Sequence, residues 1–311
     1  MRLFAHRRHL LYLLLCLPLF LTAAPIDWER AESLDRGIKL AKLNRSSPLQ
    51  RVYVVRVDLQ TPELTFTATQ RDSAYGKAMP IHRDKKRRAG VIRTKRITTV
   101  NFMQQARALF KNGGRELDMV LAVNAAPWTP WPPPEHPYAD PIGTNITDGK
   151  IITDHPTHAA FVIYKNGVPA ILDKLEKKDF RNIHLAVSGF DVIMLNGKPT
   201  DRAKEHKGRD PRMAYGLSAD KRYFFIIAVD GRQPKWSIGA SYSELCGFFR
   251  DAGASDAINM DGGGSTSLVY FNKKTGQPVF VNHHANKAQR KVGSNLGIFR
   301  RSNRSKHPPK R

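Results

Sequence analysis

The sequence predicts an α+β fold: a mixed, largely antiparallel β-sheet system with two principal helices, held in a single domain. Three observations lead there. Short apolar, β-branched runs recur along the chain, punctuated by turn pairs such as Asn166-Gly167 and Asn196-Gly197. Helical spacing of apolar residues is sustained in two stretches only, 100–112 and 242–252. No internal repeat and no linker divides the 311 residues, and a hydrophobic content of 41% is enough to build a core.

The first segment reads as an address. Arg2, Arg7 and Arg8 precede an apolar run over 10–21, and Thr22-Ala23-Ala24 follow, the three-part pattern of a secretory signal peptide. The run is short for a bilayer span, which is the competing reading. Cys16 lacks the small residues of a lipoprotein site before it, so no lipid anchor is expected. Removing 1–24 takes three arginines and no acid from a net charge of +24, leaving +21. That charge points to anionic partners: phosphate-bearing glycans, glycolipids, or peripheral contact with an anionic envelope surface. Export to the periplasm or beyond sets nucleic acid aside. Cys246 is then the sole cysteine, so an intramolecular disulfide is excluded, and its helical setting favours a core role over a nucleophilic one.

Taken in order, residues 25–50 are mixed and polar and read as a lead-in. The alternating, β-branched run 51–59 is the first clear strand; Thr61-Pro62 turns it into 64–69, a hairpin. Between 70 and 96 stand ten Lys or Arg against two Asp with little periodicity, so this reads as a long exposed loop. Thr98-Thr99 caps the helix over 100–112, where Phe102, Ala106, Leu109 and Phe110 share a face and Gly113-Gly114 stops it. The apolar strand 119–123 delivers Asn124 into a stiff Pro/Trp loop holding Trp128 and Trp131. Short antiparallel strands follow at 145–147, 151–152, 160–164, 168–172, 184–188 and 192–195. The strand 223–229 ends in Asp230-Gly231-Arg232. The helix 242–252 stops at Gly253, a buried strand runs through 257–259 into Gly262-Gly263-Gly264, and 295–299 is the last strand. The basic tail 301–311 reads as disordered.

The chemistry gathers where apolar strands end in polar residues: Asn124, Ser188, Asp230 with Arg232, and Asn259 with Asp261. Asp261, between a buried strand and a glycine turn, is the leading catalytic carboxylate, since desolvation and nearby amides tune such a group; the competing reading is an Asp that caps its own turn. Glu244 is a second carboxylate for acid or base work, against the alternative that Ser241-Tyr242-Ser243-Glu244 is a capping box. Asp230 is a third candidate, or the ion-pair partner of an arginine. Arg212 and Arg232 are candidate phosphate clamps. The amides of Gly262, Gly263 and Gly264, with Ser265 and Thr266, offer an anion nest, but no Gly-Lys-Ser/Thr follows, so nucleotide binding is not indicated. Trp128 is either a sugar platform or a core residue. His155, His158, His283 and His284 lack zinc-site spacing, so there is no metal signature and the cofactor is unknown; no G-x-S-x-G elbow is present.

The order Arg209-Asp210-Pro211-Arg212, Asp230-Gly231-Arg232, a helix with Glu244, then Asn259-Met260-Asp261-Gly262-Gly263-Gly264-Ser265-Thr266 resembles the phosphodiester glycosidase family over roughly residues 51–300. The resemblance implies hydrolysis of a sugar from a sugar-1-phosphodiester, with Asn124, Ser188, Arg212, Asp230, Arg232, Glu244, Asn259 and Asp261 in the site. Where that family shows Asn followed by two glycines, this chain has Asn124-Ala125-Ala126. The expectation is an exported glycoside hydrolase acting on a phosphate-linked glycan or glycolipid. A non-catalytic periplasmic glycan-binding protein and a basic envelope-surface protein are the alternatives.

Overall fold

Runs such as Tyr223–Val229 and Asp118–Asn124 are apolar on both faces, and strands of that kind are stable only between two covering layers. The computed structural model, which describes residues 25–80, 90–111, 117–133, 135–286 and 288–301, provides those layers. Its largest sheet has eight strands in the order Glu32–Asp35, Ile38–Ser46, Leu49–Asp58, Tyr223–Val229, Arg212–Leu217, Asp256–Asn259, Asp191–Leu195 and Lys198–Pro199. One five-stranded sheet orders Lys150–Asp154, Thr144–Thr147, Ile183–Ser188, Ala160–Tyr164 and Pro169–Leu172; another orders Gln277–Phe280, Leu268–Asn272, Asp118–Asn124, Asn295–Arg300 and Leu64–Ala68. A small three-stranded sheet joins Thr94–Lys95, Tyr138–Pro141 and Trp128–Thr129.

A single buried cluster holds Val55 and Phe224 from the first sheet, Phe161 and Leu185 from the second, and Leu121 and Ile298 from the third. The rings of Phe161 and Phe224 stack at 4.6 Å between centroids. The opposite face of the eight-stranded sheet is covered by α3 (Tyr242–Ala252), whose Leu245, Phe248 and Phe249 pack with Val54, Phe225 and Ile227. Helix α1 (Thr99–Lys111) lays Met103 and Ala106 on Met119 and Ala122. Between them in sequence lies the short α2 (Asp201–Glu205). The α+β class and the two longer helices match the expectation.

Several details differ. Every described strand pairing is antiparallel, so the mixed character expected of the sheets is absent among the described residues. The lead-in is part of the sheet: Ile38–Ser46 pairs along Leu49–Asp58, and Ile38 and Leu40 enter the core. Its Lys42 and Asn44 are exposed and the strand that borders it, Glu32–Asp35, is only four residues long, which is why the composition reads as polar. The expected hairpin of 51–59 with 64–69 does not form. Leu64–Ala68 crosses to another sheet and pairs with Asn295–Arg300, because Phe66 and Ala68 bury in the shared core. The basic stretch 70–96 is partly packed: Met79, Ile92, Thr94 and Arg96 are buried, and Arg71 stacks on Tyr75. The signal peptide, Gly113-Gly114 and all of the basic tail except Arg301 lie outside the described residues.

Candidate active site

The strand Asp256–Asn259 runs between Arg212–Leu217 and Asp191–Leu195, and its end opens into a cavity of about 680 Å³. Asp261 stands in the cavity wall, fixed through its backbone: its N–H donates to Ala125 O at 3.1 Å, and its carbonyl accepts from Asn124 Nδ2 at 2.6 Å. Asn124 Oδ1 in turn accepts from Ser267 N–H at 2.9 Å. Asn124, fully buried at the end of its strand, therefore acts on the two sides of the glycine turn rather than on the cavity. Burial pushes the Asp261 carboxyl up to about 7, against the opposing effects of the Ser265 hydroxyl, the Arg290 charge and the Gly262 N–H.

The three glycines have separate steric reasons. A Cβ on Gly262 would stand 2.7 Å from Pro211 O. Gly263 has φ of 59° and lies beneath the Arg232 guanidinium. A Cβ on Gly264 would strike Arg290 and come within 2.6 Å of Asn286 Nδ2. Three of the five amides expected to form an anion nest are taken by backbone carbonyls. Gly263 N–H donates to Pro211 O at 2.8 Å, and the N–H groups of Ser265 and Thr266 close onto Gly262 and Gly263 carbonyls as a short 3₁₀ turn. Ser265 and Thr266 lie behind the cavity lining, the former accepting from Arg290 at 3.3 Å.

Four arginines line the cavity; Arg202 is paired with Asp191 at 3.0 Å, and the other three are Arg232, Arg212 and Arg290. Arg232 sits in the left-handed region, φ 58°, and donates through Nε and Nη2 to Asp210 Oδ1 at 3.1 and 3.0 Å. Arg212 is buried over the Tyr242 ring, its Nε on Ala240 O at 2.9 Å and Nη2 on Gly208 O at 2.8 Å; burial lowers its pKa. Arg290, which the sequence reading missed, lies 4.6 Å from the Trp131 ring centroid. Burial lowers its pKa, Asp261 opposes that, and Arg232 adds to it. Its loop has neither apolar periodicity nor a motif, so nothing marked it among 51 basic residues. Asn259 also lines the cavity; its Nδ2 donates to Met260 O at 3.0 Å, while its buried Oδ1 has no partner among the described residues.

Four other expected site residues are placed elsewhere. Glu244 closes the capping box of α3, accepting from Ser241 N–H at 2.8 Å, and takes Arg209 in a two-pronged pair. Burial alone would raise its pKa, but Arg209 and the Ser241 amide outweigh it and hold the carboxyl low. Asp230 is buried behind Arg232, outside the cavity lining. Ser188 is buried with its hydroxyl on Thr144 O at 2.8 Å. Trp128 is 5% exposed and packs with Ala139 and Val292, whereas Trp131, 49% exposed, is the ring that reaches the cavity. Cys246 is core, its thiol pushed up to about 12 by burial. Among the described residues no group of three or more His, Cys, Asp or Glu is placed to hold a metal.

The family model for phosphodiester glycosidases matches residues 118–299. The fold is similar to that of the zebrafish N-acetylglucosamine-1-phosphodiester alpha-N-acetylglucosaminidase catalytic domain auto-inhibited by its pro-peptide, with a TM-score of 0.57 and 16% identity over 88% of this chain and 87% of that one. A putative exported protein from Burkholderia pseudomallei (TM-score 0.55, 13% identity, 81% of this chain and 74% of that one) is also similar. So is a hypothetical protein from Synechocystis (0.54, 12%, 86% and 62%). No curated protein matches the chain. With the family match spanning more than half of the chain, from the strand that ends in Asn124 to the last strand of the same sheet, this protein belongs to the phosphodiester glycosidase family.

Proposed function

We propose that the protein is an exported hydrolase that cleaves the glycosidic bond of a sugar-1-phosphodiester, releasing the sugar and leaving the phosphate on the other partner. The observation that carries this reading is Asp261: a carboxyl raised to about 7 in a cavity onto which Arg212, Arg232 and Arg290 converge. As the C1–O bond breaks, the phosphate departs with the bonding pair and its charge grows from one negative to two. Guanidinium groups beside the glycine turn are suited to receive that charge, and a leaving group of near-neutral basicity needs no strong acid. The harder task is delivering water to the anomeric carbon. Asp261, a stronger base than an ordinary carboxylate, takes the proton of the attacking water. Trp131, half-exposed at the cavity, offers aromatic surface for the pyranose. The apolar run after three arginines at the N-terminus supports export, and the basic charge supports an anionic glycan or glycolipid as the substrate.

The test is incubation of the purified protein with synthetic sugar-1-phosphodiesters, following release of the free sugar. Turnover by the wild type and its loss in Asp261→Asn is the expected result. Tight glycan binding with no turnover on any such diester overturns the hydrolase in favour of a binding protein.

A further inference from the structure

Two guanidinium groups lie against successive glycines of the turn, Arg232 over Gly263 and Arg290 over Gly264. Like charges so placed repel, and burial already disfavours the charge on Arg290. Neither arginine belongs to a helix or a strand. Arg232 sits in the turn after Tyr223–Val229, and Arg290 in the loop between Gln277–Phe280 and Asn295–Arg300. Within the cavity Asp210 pairs with Arg232 and the Asp261 charge favours Arg290, but neither carboxylate bonds to both segments.

Asp230 is placed to do so. The residue is 1% exposed, and its carboxylate accepts from three separate parts of the chain: the Tyr53 hydroxyl at 3.2 Å, Trp236 Nε1 at 2.7 Å and the His283 backbone N–H at 2.9 Å. Asp230 and Trp236 bracket Arg232 within one turn, closed by Gln233 N–H on Ser237 O at 3.1 Å and by Ser237 Oγ on Asp230 O at 2.6 Å. His283 opens the loop that carries Arg290, and Gln233 reaches the same histidine ring at 2.6 Å. The one carboxylate thus bonds to both arginine-bearing segments and to the central strand Leu49–Asp58. Gly231 beside it admits no Cβ, which would meet Pro211 N at 2.6 Å, so the turn has little room to shift. We propose that Asp230 is a positioning residue that holds Arg232 and Arg290 together as one seat for a phosphate group. This rests on the phosphate-holding role given to those arginines above.

Asp230→Asn puts an N–H₂ among donors that need an acceptor, and loosens the tie without changing the charge of the cavity lining. In the full chain, binding of inorganic phosphate is measured by calorimetry, and KM and kcat are measured on a sugar-1-phosphodiester. The expected result is a rise of about tenfold or more in both the phosphate Kd and KM, with a fall in kcat beside it because the charge growing on the departing phosphate is held less well, and with the affinity for the free sugar unmoved. Unchanged phosphate affinity overturns the proposal, as does an equal loss for phosphate and free sugar, or a fall in kcat at constant KM. Should Asp230→Asn fail to fold, Trp236→Phe removes a single donor and is read in the same way, with a smaller shift in the same direction. Wild-type protein that binds no phosphate overturns the seat itself. Phosphate binding without turnover of any diester overturns only the hydrolase reading.

Discussion

At the scale of the residue, Asp261 combines reactivity with instability, and the two can be separated by pH. Its carboxyl titrates near 7 in the folded protein and near 3.8 when unfolded. Below about pH 4 both states are protonated and the group costs nothing. As pH rises toward 7 the unfolded chain ionises first, so stability is lost across that window, on the order of a few kcal/mol in all. Asp261→Asn is therefore expected to melt higher than wild type at pH 8 and equally at pH 3.5, by calorimetry. Its kcat/KM is expected to fall by about 10²–10⁴, while the wild-type kcat/KM climbs through pH 7 to a plateau. Glu244 should behave in the opposite way. As a cap and an Arg209 partner it stabilises α3, and much of the arginine is exposed, so the pair itself is screened. Glu244→Gln is expected to lose about 1 kcal/mol of stability in thermal denaturation with kcat within a few fold. A kcat collapse would return Glu244 to the chemistry.

At the scale of the element, the glycine turn holds neighbouring positions with different duties. Alanine at Gly262 meets a backbone carbonyl, Pro211 O, which has no freedom to move. Alanine at Gly264 meets the far ends of the Arg290 and Asn286 side chains, which can swing away. Gly262→Ala is thus expected to cost about 1–3 kcal/mol of stability. Gly264→Ala should keep the melting temperature near that of wild type and raise KM several-fold, because Arg290 is displaced. Denaturation and steady-state kinetics on the two variants decide between these outcomes. The 3₁₀ turn that follows takes the Ser265 and Thr266 amides and Pro211 O takes that of Gly263, so the element contributes proximity and Asp261 more than a full nest.

At the scale of the whole molecule, the site depends on three sheets that share one core. The cavity residues come from 190 to 290, with Trp131 from a separate loop, yet their framework begins before the first strand that the sequence announces. Ile38–Ser46 covers the edge of Leu49–Asp58, the strand that supplies Tyr53 to Asp230. A chain beginning at Arg51 leaves that edge bare and removes Ile38 and Leu40 from the core. It is expected to aggregate or melt well below a chain beginning at Pro25, which paired expression and thermal denaturation would show.

Local pattern made much of this legible. The strands ending in Asn124, Ser188, Asp230 and Asn259, both long helices and the Asp148-Gly149 and Asn166-Gly167 turns are written in the periodicity of neighbouring residues, because pleat, helical repeat and turn chemistry act over a few residues. The motif order likewise brought Asp261, Arg212 and Arg232 to notice. What those residues touch is not local. Whether Glu244 faces substrate or its own helix cap is decided by Arg209, in a separate segment, while whether Trp128 or Trp131 is the open ring and which of 51 basic residues joins the site depend on contacts between segments more than a hundred positions apart. The sequence by itself determined the class of fold, its strand ends and the family. Only the tertiary structure decided that Asp261 lies in the cavity while Asp230 and Glu244 stand behind it, because desolvation and proximity exist only once the sheets have packed.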